Sequence, residues 1–555
     1  MAPQGFNPAL NLAAFAAPSP QPAPPALNAL YLRDGKYDGM TRAGVAASFA
    51  AFTGMPDGKR LALFFHGGLV DKPTGQKAGA LQYERYKDVA LPIFVIWESG
   101  IWEVLAHHLP LIFAETIFGQ IKSKAIAAAV AKVPAGAPPV PGQPAAFAAP
   151  GVPATDEPSA EALANVTLTA ADVDAFMSSI AGDLTIQNAA AAIAMNSNDP
   201  AVALAAPGFA GAPAVASPVT MLSPSVVGAI RGAYFESAGS AGFSAAPGLF
   251  RFDPLAAIRA AAALAKAAAP VLINVFKRFQ AHRDHGLTCT VVEELLRALY
   301  GAKLGSSIWE EMKKETEDAF GADSAIFGGT ALIEEIVALP PAKRQKITLV
   351  GHSTGAVYIG NFLRHADAAL TAAGDVTTKF DVVLMAPANT MDFYEANYGK
   401  RVAGIRLFGM QDATEQRDLL MSSDVAGGPN ASILGQVYPR SLLYLVAGVC
   451  ESFEGAGGTG LHNLDSADMP LFGMDRFFAQ STTFPNAEYP SVKDARARFA
   501  DPHDFGYQRV LSPTDPAAGR GLRSTSLKHG NFPGDDPTID SVRFCFTTGL
   551  VAPHA

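Results

Sequence analysis

Gly351-His352-Ser353-Thr354-Gly355 sets a serine between two glycines, at the point where a β-branched run gives way to a helical pattern. The run is Lys346-Ile347-Thr348-Leu349-Val350, and the pattern is carried by Val357, Tyr358, Phe362, Leu363 and Ala366. A G-x-S-x-G between strand and helix makes a sharp turn with the serine in a strained conformation at its apex, and a Cβ at either glycine would clash across the bend. The chemistry this suits is nucleophilic attack on an acyl carbon. A serine hydroxyl is a poor nucleophile near neutral pH, so a histidine base and an orienting carboxylate are required.

Among eleven histidines, His529 is the expected base, because it lies in a loop before the last helix and is followed by Gly530. His462 and His503 are its loop-borne rivals. The carboxylate is expected just past a strand, and Asp412 fits, two residues beyond the run ending at Met410. Asp418, Asp424 and Glu451 are the alternatives, and a helix N-cap is the competing use of Asp412. An oxyanion also needs preorganised N–H donors. Thr354 at the head of the elbow helix offers one, and the loop His66-Gly67-Gly68-Leu69 offers the other, with Gly68 preferred to Leu69. His66, Gly67, His352 and Trp97 are expected around the substrate. No metal is expected: His282-Arg283-Asp284-His285 has usable spacing but no third ligand nearby.

These groups need a sheet to hold them. Leu61 to Phe65 and Pro92 to Trp97 read as buried parallel strands flanking a helix over about 76–88. Strands are expected again at Phe380–Ala386 and Gly404–Met410, and the apolar run Ser441–Val446 suits a third. Residues 452–528 read as loop, and a last helix starts with Asp536 as N-cap and Pro537 at its first position. Between these parts the alternation stops. Helices are expected over 101–133, 169–181, 254–280, 290–300, 306–319 and 330–339, the fourth of these putting Glu293, Glu294 and Arg297 on a face opposite its apolar residues.

The organisation expected is a flexible Pro/Ala-rich arm (1–28), an α/β core (29–100 and 340–555) and a helical insertion (101–339) with a linker-like tract at 134–163. The segment Leu255 to Phe276 carries Arg259, Lys266 and Pro270 and reads as a pair of soluble helices, so no transmembrane span is expected. A net charge of −9 without a basic stripe argues against nucleic acid as a partner. Cys289, Cys450 and Cys545 lie far apart in apolar segments and read as buried thiols. No Lys or Arg precedes the short apolar run at Ala9–Ala17, which favours a cytoplasmic location over secretion.

Taken in order, His66-Gly67-Gly68, the Gly351–Gly355 elbow, Asp412 and His529-Gly530 resemble the α/β-hydrolase superfamily, and the HGG loop resembles that of lipases and esterases. The resemblance covers about 60–100, 340–450 and the C-terminal fifth. It implies a mostly parallel sheet flanked by helices and a serine hydrolase of carboxylic esters that uses no cofactor. The same triad serves amidases, peptidases and acyltransferases, and a non-catalytic interaction protein on a hydrolase scaffold is the alternative from another class. Family caps usually follow the strand after the elbow helix, whereas this insertion precedes the elbow strand. Its Ala-rich helices are expected to act as a lid over an apolar entrance, compatible with a lipid-like ester substrate or peripheral contact with lipid. Oligomeric state is not legible.

Overall fold

The computed structural model describes residues 28–550 apart from 40, 57, 68–71, 98–100, 135–157, 196–219, 237–252, 302–305, 421–434, 436, 452–466 and 480–488. All but the last residue of the N-terminal arm, residues 135–157 of the 134–163 tract, Gly68, Leu69, Asp424 and His462 therefore lie outside the described residues.

The chain builds an α/β fold on one eight-stranded sheet. Its strands are β1 (Ala29–Arg33), β2 (Lys36–Tyr37), β3 (Arg60–Phe65), β4 (Ala90–Trp97), β5 (Ile347–His352), β6 (Phe380–Met385), β7 (Val402–Met410) and β8 (Tyr507–Ser512), in the order β2-β1-β4-β3-β5-β6-β7-β8. Only the β1–β2 pair is antiparallel. The central strands are buried almost end to end because helices cover both faces, which is why they read as unbroken apolar runs. From β3 the chain steps one way to β4, and from β5 it steps the other way to β6. That reversal opens a crevice beyond the carboxyl ends of β3 and β5, where ligands bind in open α/β sheets.

Three strands differ from expectation by being present at all, β1, its two-residue partner β2, and β8. β1 is short and follows the Pro-rich arm, and β8 is an edge strand with a half-buried pattern that lacks a strong apolar run. Ser441–Val446, expected as a strand, is instead helical over Leu442–Leu445 and continues as a π-turn over Val446–Cys450. Ser441 decides the matter locally, since its hydroxyl caps the turn by accepting from Tyr444 N–H. The last helix, Asp536–Thr548, is capped by Asp535, not Asp536. Its core face is the expected one, with Ile539, Val542, Cys545 and Phe546 all buried.

The helical block centres on Pro254–Gln280, a single 27-residue helix and not the expected pair. Pro270 removes one backbone donor and crowds the preceding turn, which costs about 3 kcal/mol in a helix interior. Burial of Val271, Leu272, Val275 and Phe276 beyond it offsets that cost. By length and composition this helix reaches the dimensions of a membrane span, and half of its most apolar window is buried inside the protein. It packs against the helices Thr116–Val130, Ala170–Ala181, Leu184–Met195, Pro224–Glu236 and Leu287–Leu295.

The expected polar face of the Leu287–Tyr300 segment is buried too. Glu293, Glu294 and Arg297 all lie in the interior. Arg278 bonds Glu293 at 2.6 Å and Glu294 at 3.2 Å. His285 meets Glu293 through Nδ1 at 2.6 Å and Asp468 through Nε2 at 2.8 Å, and Asp468 also pairs with Arg476 at 3.0 Å. Buried charges persist only when paired this fully. The network fastens the helical block to the C-terminal part of the chain and occupies both ring nitrogens of His285, while His282 is exposed. The three cysteines are buried and free. The last two helices of the expected insertion, Ser306–Asp318 and Gly328–Ala338, pack on the elbow helix Gly355–Ala372.

Candidate active site

β5 ends in the elbow. Ser353 has φ +53°, in the left-handed region that a non-glycine residue enters only where its surroundings impose it. The flanking glycines are required by contact as well as conformation. A Cβ on Gly355 would stand 2.1 Å from the Phe65 carbonyl oxygen, and one on Gly351 would stand 2.8 Å from Ile359 Cδ1. Any side chain at 355 would therefore push β3 away from the elbow. The turn is held by Ser353 N–H donating to Met385 O at 2.9 Å and by Ala388 N–H donating to Ser353 O at 3.1 Å. Thr354 is buried at the head of the elbow helix, where the helix dipole favours negative charge.

His529 reaches the serine from the short 3₁₀ turn His529–Gly534, and its Nε2 lies 3.0 Å from Ser353 Oγ. The turn is well anchored. Asp535 accepts from Thr525 N–H at 2.9 Å and from Thr538 N–H at 3.1 Å, which pins the segment before His529 to the last helix. His352 Nε2–H donates to the His529 carbonyl at 3.0 Å, a bond whose acceptor can only be the carbonyl. Burial, and then the neighbouring His352, push the His529 imidazole down to about 3, so it is neutral at neutral pH and its Nε2 can accept a proton.

The carboxylate that meets His529 is Asp418. Its Oδ2 accepts the His529 backbone N–H at 2.7 Å, while His529 Nδ1 is buried without a hydrogen-bond partner among the described residues. Burial raises Asp418 to about 6, partly opposed by that backbone hydrogen bond. Asp412, the expected acid, is not brought to the histidine. It opens the one-turn helix Asp412–Glu415, and its carboxylate is taken by Tyr444 Oη at 2.6 Å and Gln416 Nε2 at 2.8 Å. Of the other rivals, Glu451 is held by Trp309 at 2.6 Å and Lys313 at 3.1 Å. His503 is exposed on its own turn.

The loop after β3 lies against the elbow, since a Cβ on Gly67 would come within 3.2 Å of Ser353 Cβ. His66 has a structural task there. Its Nδ1 is 2.6 Å from Gly67 O and its Nε2 accepts Trp97 N–H at 3.1 Å, while its ring stacks on Trp97 at 4.1 Å. Both nitrogens are thus engaged, Nδ1 within its own loop and Nε2 tying the end of β3 to the end of β4, and burial drives its pKa down to about 4. Trp97, expected beside substrate, is packed between His66 and Tyr358 and does not line the cavity at Ser353.

That cavity measures about 730 Å³ and reaches from Ser353 and His529 down one face of the sheet. Among the described residues its walls come from 64–96, 350–385, 418–442 and 525–535, and none from 101–339. The helical block is expected to shelter the entrance; none of its described residues lines this cavity. The sequence signal for the Lys72–Tyr86 helix as a wall is Gly75, Ala78 and Gly79, a face too small to fill the space beneath it.

Glu415, on the turn between Asp412 and Asp418, is a further buried acid. Desolvation raises it to about 8, against the Ser441 hydroxyl that donates to it at 2.6 Å. A folded-state pKa above the unfolded value means stability that is intact at low pH and is lost as pH rises toward 8, at up to about 1.4 kcal/mol per pH unit. Glu415→Gln retains an acceptor for Ser441 and cannot ionise. Its melting temperature should therefore fall less than that of the wild type between pH 6 and pH 9. Parallel melting curves across that range would show that Glu415 does not carry the effect.

No family model, curated protein or solved structure matches the chain.

Proposed function

We propose that the protein is a serine hydrolase of carboxylic esters with an α/β-hydrolase architecture. The observation that carries this reading is the 3.0 Å approach of His529 Nε2 to Ser353 Oγ, made at a strained elbow on the sheet's switch point. In the proposed reaction Ser353 Oγ attacks the ester carbonyl while His529 Nε2 takes its proton. The tetrahedral oxyanion is met by the Thr354 N–H at the helix head. Collapse expels the alcohol, which takes the proton from His529, and leaves an acyl-serine. Water then attacks the acyl carbon with His529 again as base, the acyl–Oγ bond breaks as His529 returns the proton to Ser353, and the acid departs. Asp418 is the carboxylate placed to steady the imidazolium that forms twice in each cycle. Its side chain would move from the His529 N–H toward Nδ1, a short adjustment of the kind expected when an apo site tightens on substrate. The burial of His529 beside the serine favours a working catalyst over a scaffold, which would have no use for a neutral imidazole held against a hydroxyl on a strained turn.

A fluorophosphonate probe tests the reading on the intact protein. Covalent labelling should map to the peptide containing Ser353 and should eliminate p-nitrophenyl ester hydrolysis in proportion. Labelling elsewhere, or none, would overturn it.

A further inference from the structure

The cavity beneath Ser353 has a shape and lining more specific than ester hydrolysis requires. Helices that cover a sheet normally fill the interface with large apolar side chains. The Lys72–Tyr86 helix instead presents Gly75, Ala78, Gly79 and Gln82 to the cavity, four positions on one helical face. Opposite them stand Phe64 of β3 and Phe94 of β4, register partners whose rings stack at 5.0 Å. One turn beyond Gln82, Tyr86 is buried and stacks on Phe64 at 5.2 Å, which closes the helix onto the sheet and ends the space. The side is sealed by Gln82 and Arg85, which both donate to the Pro533 carbonyl, at 2.6 and 2.5 Å. The missing side chains on the helix therefore leave a mainly apolar slot between helix and sheet, with Gln82, Asp418, Thr525, Lys528, Asn531 and Asp535 as its polar lining.

Its open end carries the proposed chemistry. Ser353 and His529, whose buried Nδ1 has no hydrogen-bond partner among the described residues, line the cavity there. Leu419 and Leu527 line it as well and are 37% and 56% exposed, so the rim offers apolar surface to solvent. The helix from Gly75 to Gln82 spans ~10 Å at ~1.5 Å per residue. A saturated chain with C–C bonds of ~1.5 Å advances ~1.3 Å per carbon, so that span takes about eight carbons.

We propose that this slot is the acyl-binding site, that it takes unbranched saturated chains of about eight carbons, and that the Gly75-Ala78-Gly79 face sets their length. The proposal rests on Ser353 as nucleophile. It places chain-length selection in the α/β core, away from the helical block.

Two measurements on the full-length protein test it. In the first, wild-type protein is labelled with fluorophosphonates of increasing linear alkyl length. The labelling rate should rise about threefold to fourfold per methylene and level off near eight carbons. In the second, kcat/KM is compared for p-nitrophenyl acetate, butyrate, octanoate and tetradecanoate in wild type and Ala78→Leu. The leucine would fill the slot at its middle, so the octanoate-to-acetate ratio should drop at least about tenfold and the optimum should move to about four carbons or fewer. If Ala78→Leu does not fold, the wild-type labelling series decides alone. Labelling that is equally fast at every alkyl length, or a folded Ala78→Leu with the wild-type profile, overturns the acyl slot and leaves the nucleophile standing. Protein that no fluorophosphonate labels overturns both.

Discussion

Ser353→Ala should fold with wild-type stability and lose ester turnover and probe labelling together. The substitution removes one hydroxyl from a buried apex and leaves the contacts that build the turn, which are backbone bonds to Met385 and Ala388 and the close approach of Gly355 to β3. Strain at φ +53° is unchanged, because alanine carries the same Cβ. Melting temperature should stay within a few degrees of wild type. Catalysis has no such reserve. Removing the nucleophile of a triad costs on the order of 10⁴–10⁶ in kcat, and what activity is left comes from the remaining oxyanion donors and binding alone. Hydrolysis that survives within about tenfold of wild type would place the nucleophile elsewhere.

The elbow is readable from sequence because every constraint on it is local. A strand, five residues and a helix fix the turn, and the glycines that the steric argument demands are the ones that meet Phe65 and Ile359. The His529 position is accessible too, since a loop histidine before the final helix can swing over the strand ends. What stays hidden is information carried by partners distant in sequence. The pattern of Leu287–Tyr300 shows that Glu293, Glu294 and Arg297 share a face, but it does not show that Arg278 and Asp468 bury that face. A short apolar run such as Ser441–Val446 fits strand or helix equally by periodicity, and a single capping hydroxyl settles it. β8 is obscure because an edge strand needs little apolar sequence when only its inner positions touch the core.

The packing of the helical block is hidden for a related reason. Its composition suggests a greasy lid, yet its apolar residues are spent on packing around Pro254–Gln280, and its charges are spent on the Arg278–Glu293–His285–Asp468 network. An apolar helix tells how much surface must be buried, not against what. The absence of large side chains at Gly75, Ala78 and Gly79 is the more informative signal for a cavity, and it sits in a helix whose existence is expected but whose inner face has no pattern to draw the eye.

Asp418→Asn should cripple catalysis while leaving the protein as stable or more so at pH 8, and Asp412→Asn should change kcat by less than about tenfold. Asparagine keeps an oxygen that can accept the His529 N–H, so the 2.7 Å bond that places the turn survives. It cannot stabilise the imidazolium or fix the tautomer with Nδ1 protonated, and loss of that function lowers kcat by about 10²–10⁴. Stability should move the opposite way. Burial holds Asp418 near 6, above its unfolded value, so its contribution is intact at low pH and is lost as pH rises through about 6. A neutral amide escapes that loss, and melting at pH 8 should rise or hold. The pH profile supplies a second reading: wild-type kcat should fall below an apparent pKa near 6, as Asp418 takes up a proton, and this limb should vanish in the Asn variant. Asp412 lacks any such link to His529, since Tyr444 and Gln416 hold its carboxylate. The two roles are exchanged if Asp412→Asn loses activity by about 10²-fold or more while Asp418→Asn stays close to wild type, because the acid would then have to reach His529 from the Asp412 turn by a rearrangement of Tyr444.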